Sequence, residues 1–448
     1  MSMADFDVAV IGAGPAGMAA AATAAEHGLR VALIDSGRQL GGQYFRHPAP
    51  GLTVPWLPKL QHNWSRFEQL AARIEASSRI QVLFEHQVWA IEPGFSVRTD
   101  RGSITAATVV LATGSYERVV PFPGWDLPGV FTAGGAQALL KGNLVLPGRR
   151  VVVAGTGPLL LPVAAGLSMA GAKVLGLFEA NRLRGYAKHP MPLLANPSKL
   201  LEAVGYGRRF IGNRVPVRSG FVVIEAQGTE FLEAVVVARP DGTGRRRIAC
   251  DALAIGHGLA PQIDLGLTLG CDHTLLVDGT VALSVDTDQR TSIPNVYAVG
   301  ETAGIAGVQT SFTEGEIAGL AMAGDKTGLQ VLRRRRDRQR TFADVVRTQH
   351  PIPPAWHDHL APDTLICRCE EVPARAIPEA VEDLGATDAR TIKLLTRAGM
   401  GWCQGRVCGY AVACLAGGAA TDLLAAAKRP LARPVPLGVL AAQDQRNT

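Results

Sequence analysis

Four cysteines carry the most specific chemistry in this 448-residue chain: Cys367-Arg-Cys369 and, 33 residues later, Cys403-Gln-Gly-Arg-Val-Cys408. Two close thiolate pairs are the donor set of an iron–sulfur cluster or a structural zinc. Zinc ribbons commonly use Cys-x2-Cys pairs, so a Cys-x-Cys joined to a Cys-x4-Cys favours a [2Fe–2S] cluster. Zinc and a vacant thiol set are the alternatives. Thiolates near helix N-termini gain N–H donors and a favourable dipole. Short helices are accordingly predicted over 378–384 and 388–397, the second capped by Thr387, with an apolar helix after Cys408. Cys250, Cys271 and Cys414 read as small packing residues.

A second chemistry stands at the other end. Asp7-Val8-Ala9-Val10-Ile11 is a short buried strand, followed by Gly12-Ala13-Gly14-Pro15-Ala16-Gly17, an alanine-rich helix to about His27, and a strand ending at Asp35-Ser36. Gly12 permits the tight turn, Gly14 lets backbone approach a pyrophosphate, and Gly17 lets helix and strand pack closely. The helix N-terminus offers free N–H groups to phosphate, and Asp35, 18 residues after Gly17, can accept ribose hydroxyls. Downstream, Arg149 to Ala154 opens a second strand–turn–helix unit with Gly155-Thr156-Gly157-Pro158-Leu159-Leu160, and Glu179 ends its next strand. Leu160 fills the third glycine position. An adenine nucleotide (NAD or ATP) therefore remains a possible occupant, beside an empty, purely supporting fold.

These turns need two parallel α/β units to hold them, and the cysteines need a third. The length suits two to three domains. The expected fold class is α/β, and by its resemblance to known families, carried by the motifs that follow, it is a two-dinucleotide-binding-domain flavoprotein with a small helical [2Fe–2S] domain. Its parts are an FAD domain over 1–125 and 275–330, an inserted NAD(P)-like domain over 126–274, a basic and Pro-rich linker over 331–362, and the [2Fe–2S] domain over 363–448. The formal charge is +6, much of it in Arg333 to Arg340. With no interleaved aromatics that run reads as a solvated helix face or linker, and no nucleic-acid partner is expected. The apolar stretch 8–25 is broken by glycine and proline where a strand turns into a helix, so no transmembrane segment is expected. Seven cysteines without an export signal place the chain in the cytoplasm, with a peripheral position at the inner membrane left open.

Further pieces resemble those of two-dinucleotide-binding-domain reductases. Gly41-Gly42-Gln43 follows the acid as in those proteins; Thr108 to Leu111 with Ala112-Thr113-Gly114 is similar to their flavin-side strand and turn. Pro294 to Gly300-Glu301 is similar to their last flavin motif, with glutamate where aspartate is usual. The resemblance implies FAD, with Pro15, Ala16, Ser36 and Val88 also lining the cofactor. No cysteine precedes Cys250, so the redox-active pair of the disulfide reductases is absent and their activity is excluded.

Taken whole, with Ala398 to Cys408 as the most specific local match, the chain resembles the FAD- and [2Fe–2S]-carrying α (A) subunits of heteromeric dye-linked amine dehydrogenases. These include opine oxidases, L-proline and D-hydroxyproline dehydrogenases and hydrogen cyanide synthase. The C-terminal unit resembles bacterioferritin-associated ferredoxins. The resemblance implies an oxidoreductase subunit in a hetero-oligomer that relays electrons from a β subunit similar to D-amino-acid oxidases. It leaves room for FMN at the subunit boundary and a small ferredoxin-like γ subunit. No catalytic acid or base is expected in this chain. A stand-alone NAD(P)H-dependent reductase feeding its own cluster is the alternative.

Overall fold

The computed structural model describes residues 4–49, 51–52, 54–60, 62–418 and 431–444. The runs of Val, Ile, Leu and Ala that alternate with glycine turns form two parallel sheets, as expected for strands buried on both faces. In the first sheet, Ile80–Leu83, Val31–Ile34, Phe6–Ile11 and Gly102–Leu111 lie side by side in parallel. Val296–Ala298 returns from far along the chain to pair with the end of Gly102–Leu111. Two antiparallel strands, Ser96–Thr99 and Val88–Glu92, extend the other half of that long strand.

The helix Pro15–Glu26 packs against Val308–Ala323, and glycines set the distance. A Cβ on Gly315 would stand 2.2 Å from the Ala16 carbonyl oxygen, and one on Gly319 would stand 2.6 Å from Thr23 Cβ. The second sheet has the parallel order Val217–Ser219, Lys173–Glu179, Arg150–Thr156, Ala252–His257, Val130–Thr132. Its helices are Ala133–Asn143 and Leu160–Met169.

The stretch expected as a linker is mostly helix. Leu329–Gln349 is a 21-residue helix, and it is not simply solvated. Arg333, Arg336, Arg340 and Arg347 recur at helical spacing and turn toward the body. Arg340 pairs with Glu314, which is fully buried, and donates to the Ala303 carbonyl at 2.9 Å. Arg347 donates to Ile305 and Arg333 pairs with Asp288. Partners on distant elements draw these cations inward.

In the C-terminal unit, short helices Ala376–Glu382, Ala389–Thr396 and Gly409–Leu415 surround a core of Ile366, Ile377, Ile392 and Val412. The cap of the middle helix is Asp388 rather than Thr387. Its carboxylate accepts the N–H groups of Arg390 and Thr391 at 2.8 and 2.9 Å, and its negative charge suits a helix N-terminus better than a hydroxyl. Among the described residues no helix is long and apolar enough to cross a membrane.

Candidate functional site: a dinucleotide cavity facing a thiol cluster

At the carboxyl end of the first sheet lies a cavity of about 640 Å³, within the range of roughly 300–1,000 Å³ typical of ligand sites. Gly12, Gly14, Pro15, Ala16, Asp35, Ser36, Gly42, Gln43, Val88, Ala112, Thr113, Gly114 and Glu301 all line it. Gly17, Gly41 and Gly300 stand behind the wall as packing glycines. A Cβ on Gly17 would come 1.8 Å from the Gly12 carbonyl oxygen, and one on Gly41 2.7 Å from Phe45 Cβ. Gly12 has φ +111°, and its Cβ would meet the Ala112 oxygen at 2.3 Å. Gly14 differs: nothing lies within 4 Å of where its Cβ would be. Gly14 lines the cavity, so its backbone is open to that space. The donor set and the open cradle fit FAD.

Asp35 is braced for a polar role. Its carboxylate accepts the N–H of Ala13 and of Gly37, both at 2.6 Å. Glu301 accepts a hydrogen bond from Ser115 Oγ. Burial pushes its carboxyl up, with the Ser115 bond acting against that. The loop carrying Glu301 is held from behind: Gly300 N–H donates to Glu314 at 2.9 Å, and Arg340 holds Glu314.

The sequence reading did not find part of the wall. Gly134, Gln137 and Lys141 come from the helix Ala133–Asn143, which packs in the second domain yet lines the first domain's cavity. Glu117 accepts the Gly134 N–H at 2.8 Å. Lys141 is buried, and burial alone pulls its ammonium down to about 8. A charge so buried is costly unless something pairs with it. Only the topology of a helix crossing between domains could have revealed it.

The four cysteines converge. Cys367 and Cys408 are buried, Cys403 is half-buried and Cys369 is exposed. A hydrogen bond from Cys408, opposed by burial and helped by the N–H groups of Gly399, Glu370 and Cys369, brings the Cys367 thiol down to about 6. Cys403 falls to about 5, again through Cys408 first, against burial, with the N–H groups of Val407 and Gly405 adding to it. Cys408, which donates to both, is pushed far up. The thiols thus run as a chain, Cys367–Cys408–Cys403–Cys369. No three His, Cys, Asp or Glu side chains among the described residues surround a single ion position. A glycine makes the closure possible, for a Cβ on Gly401 would stand 2.2 Å from Cys369 Cβ. Cys414 is half-buried and Cys250 and Cys271 are buried, all three with thiols raised by burial.

The thiol unit touches the core of the second sheet through Trp125 and the wall of the dinucleotide cavity through Asp264. Trp125 Nε1 donates to the Leu365 carbonyl at 2.7 Å, and the Arg368 guanidinium lies 5.4 Å from the Trp125 ring centroid. Arg406, between Cys403 and Cys408, pairs with Asp264 at 2.9 Å. A second cavity of about 350 Å³ separates the two sites. Tyr116 and Asp264 line both cavities, and Gly399 and Cys408 close the far side of the smaller one.

The second nucleotide turn is differently occupied. Glu179 is buried and accepts the N–H groups of Gly157 and Asn181, both at 3.0 Å, and His350 Nδ1 lies 3.3 Å from its Oε1. Gly155, Gly157 and Glu179 therefore meet as the sequence suggested, but with the chain's own residues against the acid.

Residues 6–315 match the pyridine nucleotide-disulphide oxidoreductase family, and 365–415 match the BFD-like [2Fe-2S] binding domain. The HcnB component of hydrogen cyanide synthase from Pseudomonas protegens is 34% identical over 426 residues, 90% of each chain. The A-type component of opine oxidase from Agrobacterium tumefaciens is 33% identical over 436 residues, 91% of this chain and 84% of that one. The crystal structure of L-proline dehydrogenase from P. horikoshii shares the fold at a TM-score of 0.69, with 23% identity, over 97% of this chain and 79% of that one. FAD and a [2Fe–2S] cluster are thus the cofactors of an oxidoreductase subunit. The chain belongs to the pyridine nucleotide-disulphide oxidoreductase family and to the group of subunits that includes HcnB and the A-type component of opine oxidase.

Proposed function

We propose that this chain is the electron-relay subunit of a heteromeric dehydrogenase acting on the CH–NH bond of an opine, imino acid or other amino acid. A β subunit similar to D-amino-acid oxidases would oxidise the substrate, and electrons would leave through this chain to an external acceptor. One observation supports the reading: the dinucleotide cavity adjoins a smaller cavity that Cys408 helps to line, and Tyr116 and Asp264 are common to both. When bound, FAD takes up electrons in pairs and a [2Fe–2S] cluster passes them singly. The protein's part is to hold the two close, aligned and out of bulk water. Gly14 and the N-terminus of Pro15–Glu26 would take the pyrophosphate, Asp35 the ribose and Glu301 the ribityl chain. Lys141 would supply positive charge to the buried ring system. Trp125 and the Arg406–Asp264 pair would keep the cysteine unit in register.

The test is co-expression with a neighbouring oxidase-like polypeptide. Amine- or imino-acid-dependent dye reduction is expected, slowed about 100-fold or more by Cys403→Ser, since a relay missing one link has no parallel route. Undiminished dye reduction by a cluster-free variant would overturn the proposal.

A further inference from the structure

In open α/β sheets the ligand lies outside the carboxyl ends of the strands, and in this family that crevice of the second domain is where a pyridine nucleotide belongs. Here chain fills it. The helix Leu329–Gln349 ends against the crevice, and the residues after it run across the ribose-side acid. His350 Nδ1 faces Glu179 at 3.3 Å, both side chains being more than nine-tenths buried, and His350 Nε2 lies 2.9 Å from the Tyr186 hydroxyl. Asn181 Nδ2 donates to the Pro351 carbonyl at 2.9 Å and to Thr156 Oγ1 at 2.7 Å. Ile352 is buried, and with Pro353 and Trp356 it lines a cavity of about 30 Å³ beside Gly155 and Ala180. A nucleoside diphosphate needs roughly ten times that space.

We infer that the segment His350–Trp356 is a built-in occupant of the second nucleotide crevice, which excludes pyridine nucleotide and anchors the iron–sulfur unit in its place. The same stretch faces two ways. His350 and Pro351 bind the residues that would hold a ribose, while Trp356 and Leu360 pack on the core of the cysteine unit. Upstream, Arg340 and Arg347 hold the loop of Glu301. One continuous segment therefore links the flavin loop, the old nucleotide crevice and the cluster.

The experiment uses the full chain loaded with FAD and cluster, without partner or dye, so its result is independent of the relay proposal. NADH, NADPH and ATP are each titrated anaerobically, with binding read by calorimetry, flavin reduction by absorbance and backbone protection by hydrogen exchange. The expected result is no binding, no flavin bleaching and slow exchange over 350–356 that nucleotide leaves unchanged. In the His350→Ala, Ile352→Gly variant, exchange over 350–360 should rise about tenfold or more while the flavin and cluster spectra persist. Tyr186→Phe, which removes one contact to His350 and leaves the packing, should raise it by a smaller factor. Stoichiometric binding of any of the three nucleotides by the unmodified chain would overturn the inference. Unchanged exchange over 350–360 in both variants would overturn it equally.

Discussion

The two glycine turns of this molecule are near copies whose occupants differ. In each, the first glycine adopts a positive φ that closes the turn: +111° at Gly12 and +126° at Gly155. In each, an acid at the end of the next strand accepts two backbone N–H groups, Ala13 and Gly37 at Asp35, Gly157 and Asn181 at Glu179. The third position separates them. Gly17 lies within a helix that starts at Pro15, whereas Leu160 opens its helix, so the second turn runs two residues further before the helix begins. Leu160 is buried in the core of the second domain, beside Ala133, Val153 and Ala254. The lesson is that a fingerprint reports turn geometry. Occupancy depends on what the rest of the chain brings to the opening: Gly14 and Lys141 around a broad cavity in one case, His350 and Ile352 in the other.

The sharpest way to break the comparison is to damage both turns alike. Gly12→Val and Gly155→Val each force a side chain onto a carbonyl in a left-handed conformation, which should cost on the order of 4 kcal/mol and about 4 °C in midpoint. Thermal unfolding should show similar losses for both. Flavin content should separate them, falling steeply for Gly12→Val and staying near stoichiometric in the folded fraction of Gly155→Val. Equal flavin loss from both would mean that the second turn shapes the first cavity.

Next in size is the ion pair behind the flavin loop. Arg340→Met strands the buried Glu314 carboxylate, a change that typically costs about 3–5 kcal/mol. Adding Glu314→Gln removes the stranded charge and should recover a large part of it. Urea unfolding of the two variants would show this, and a double variant no better than the single would sink the pairing argument. Arg340 also marks where sequence reading ran short. A run of arginines has a solvated look because its partners, Glu314, Asp288 and the carbonyls of Ala303 and Ile305, lie on other elements. Lys141 was hidden for the same reason, since its helix belongs to one sheet and its ammonium to the other's cavity. By contrast, Gly12 to Asp35 and the four cysteines were legible because their chemistry is set by spacing over a few residues. The Asp388 cap fell between these cases: the helix start was legible to within one residue, and two adjacent capping types left the choice to local geometry.

A gentler contrast uses the middle glycines. Gly14→Ala meets no protein atom within 4 Å, so folding should be nearly unaffected, yet its methyl would stand where a pyrophosphate approaches. A tenfold or greater loss of FAD affinity is expected, about 1.4 kcal/mol. Gly157→Ala also has open space, but φ +106° strains any side chain; it should cost about 1–2 kcal/mol of stability and leave flavin affinity unchanged. Equilibrium dialysis against FAD distinguishes the two outcomes.

The smallest expected effect concerns acid. Burial drives the Glu179 carboxyl up, but the hydrogen bond and charge of His350, with the N–H groups of Asn181 and Gly157, outweigh it and leave the group below its ordinary value of 4.5. A folded value below the unfolded one adds stability that is fully present above the unfolded value and is lost as pH falls through the folded one. His350→Ala removes one of the opposing influences, so the folded value should rise and the stabilisation should disappear earlier on acidification. The acid unfolding midpoint of the variant should therefore sit at higher pH than that of the parent, while the difference in stability at pH 7 stays within about 1–2 kcal/mol, because two N–H donors remain. An acid limb that coincides in the two proteins would mean that His350 contributes packing to the crevice and no charge.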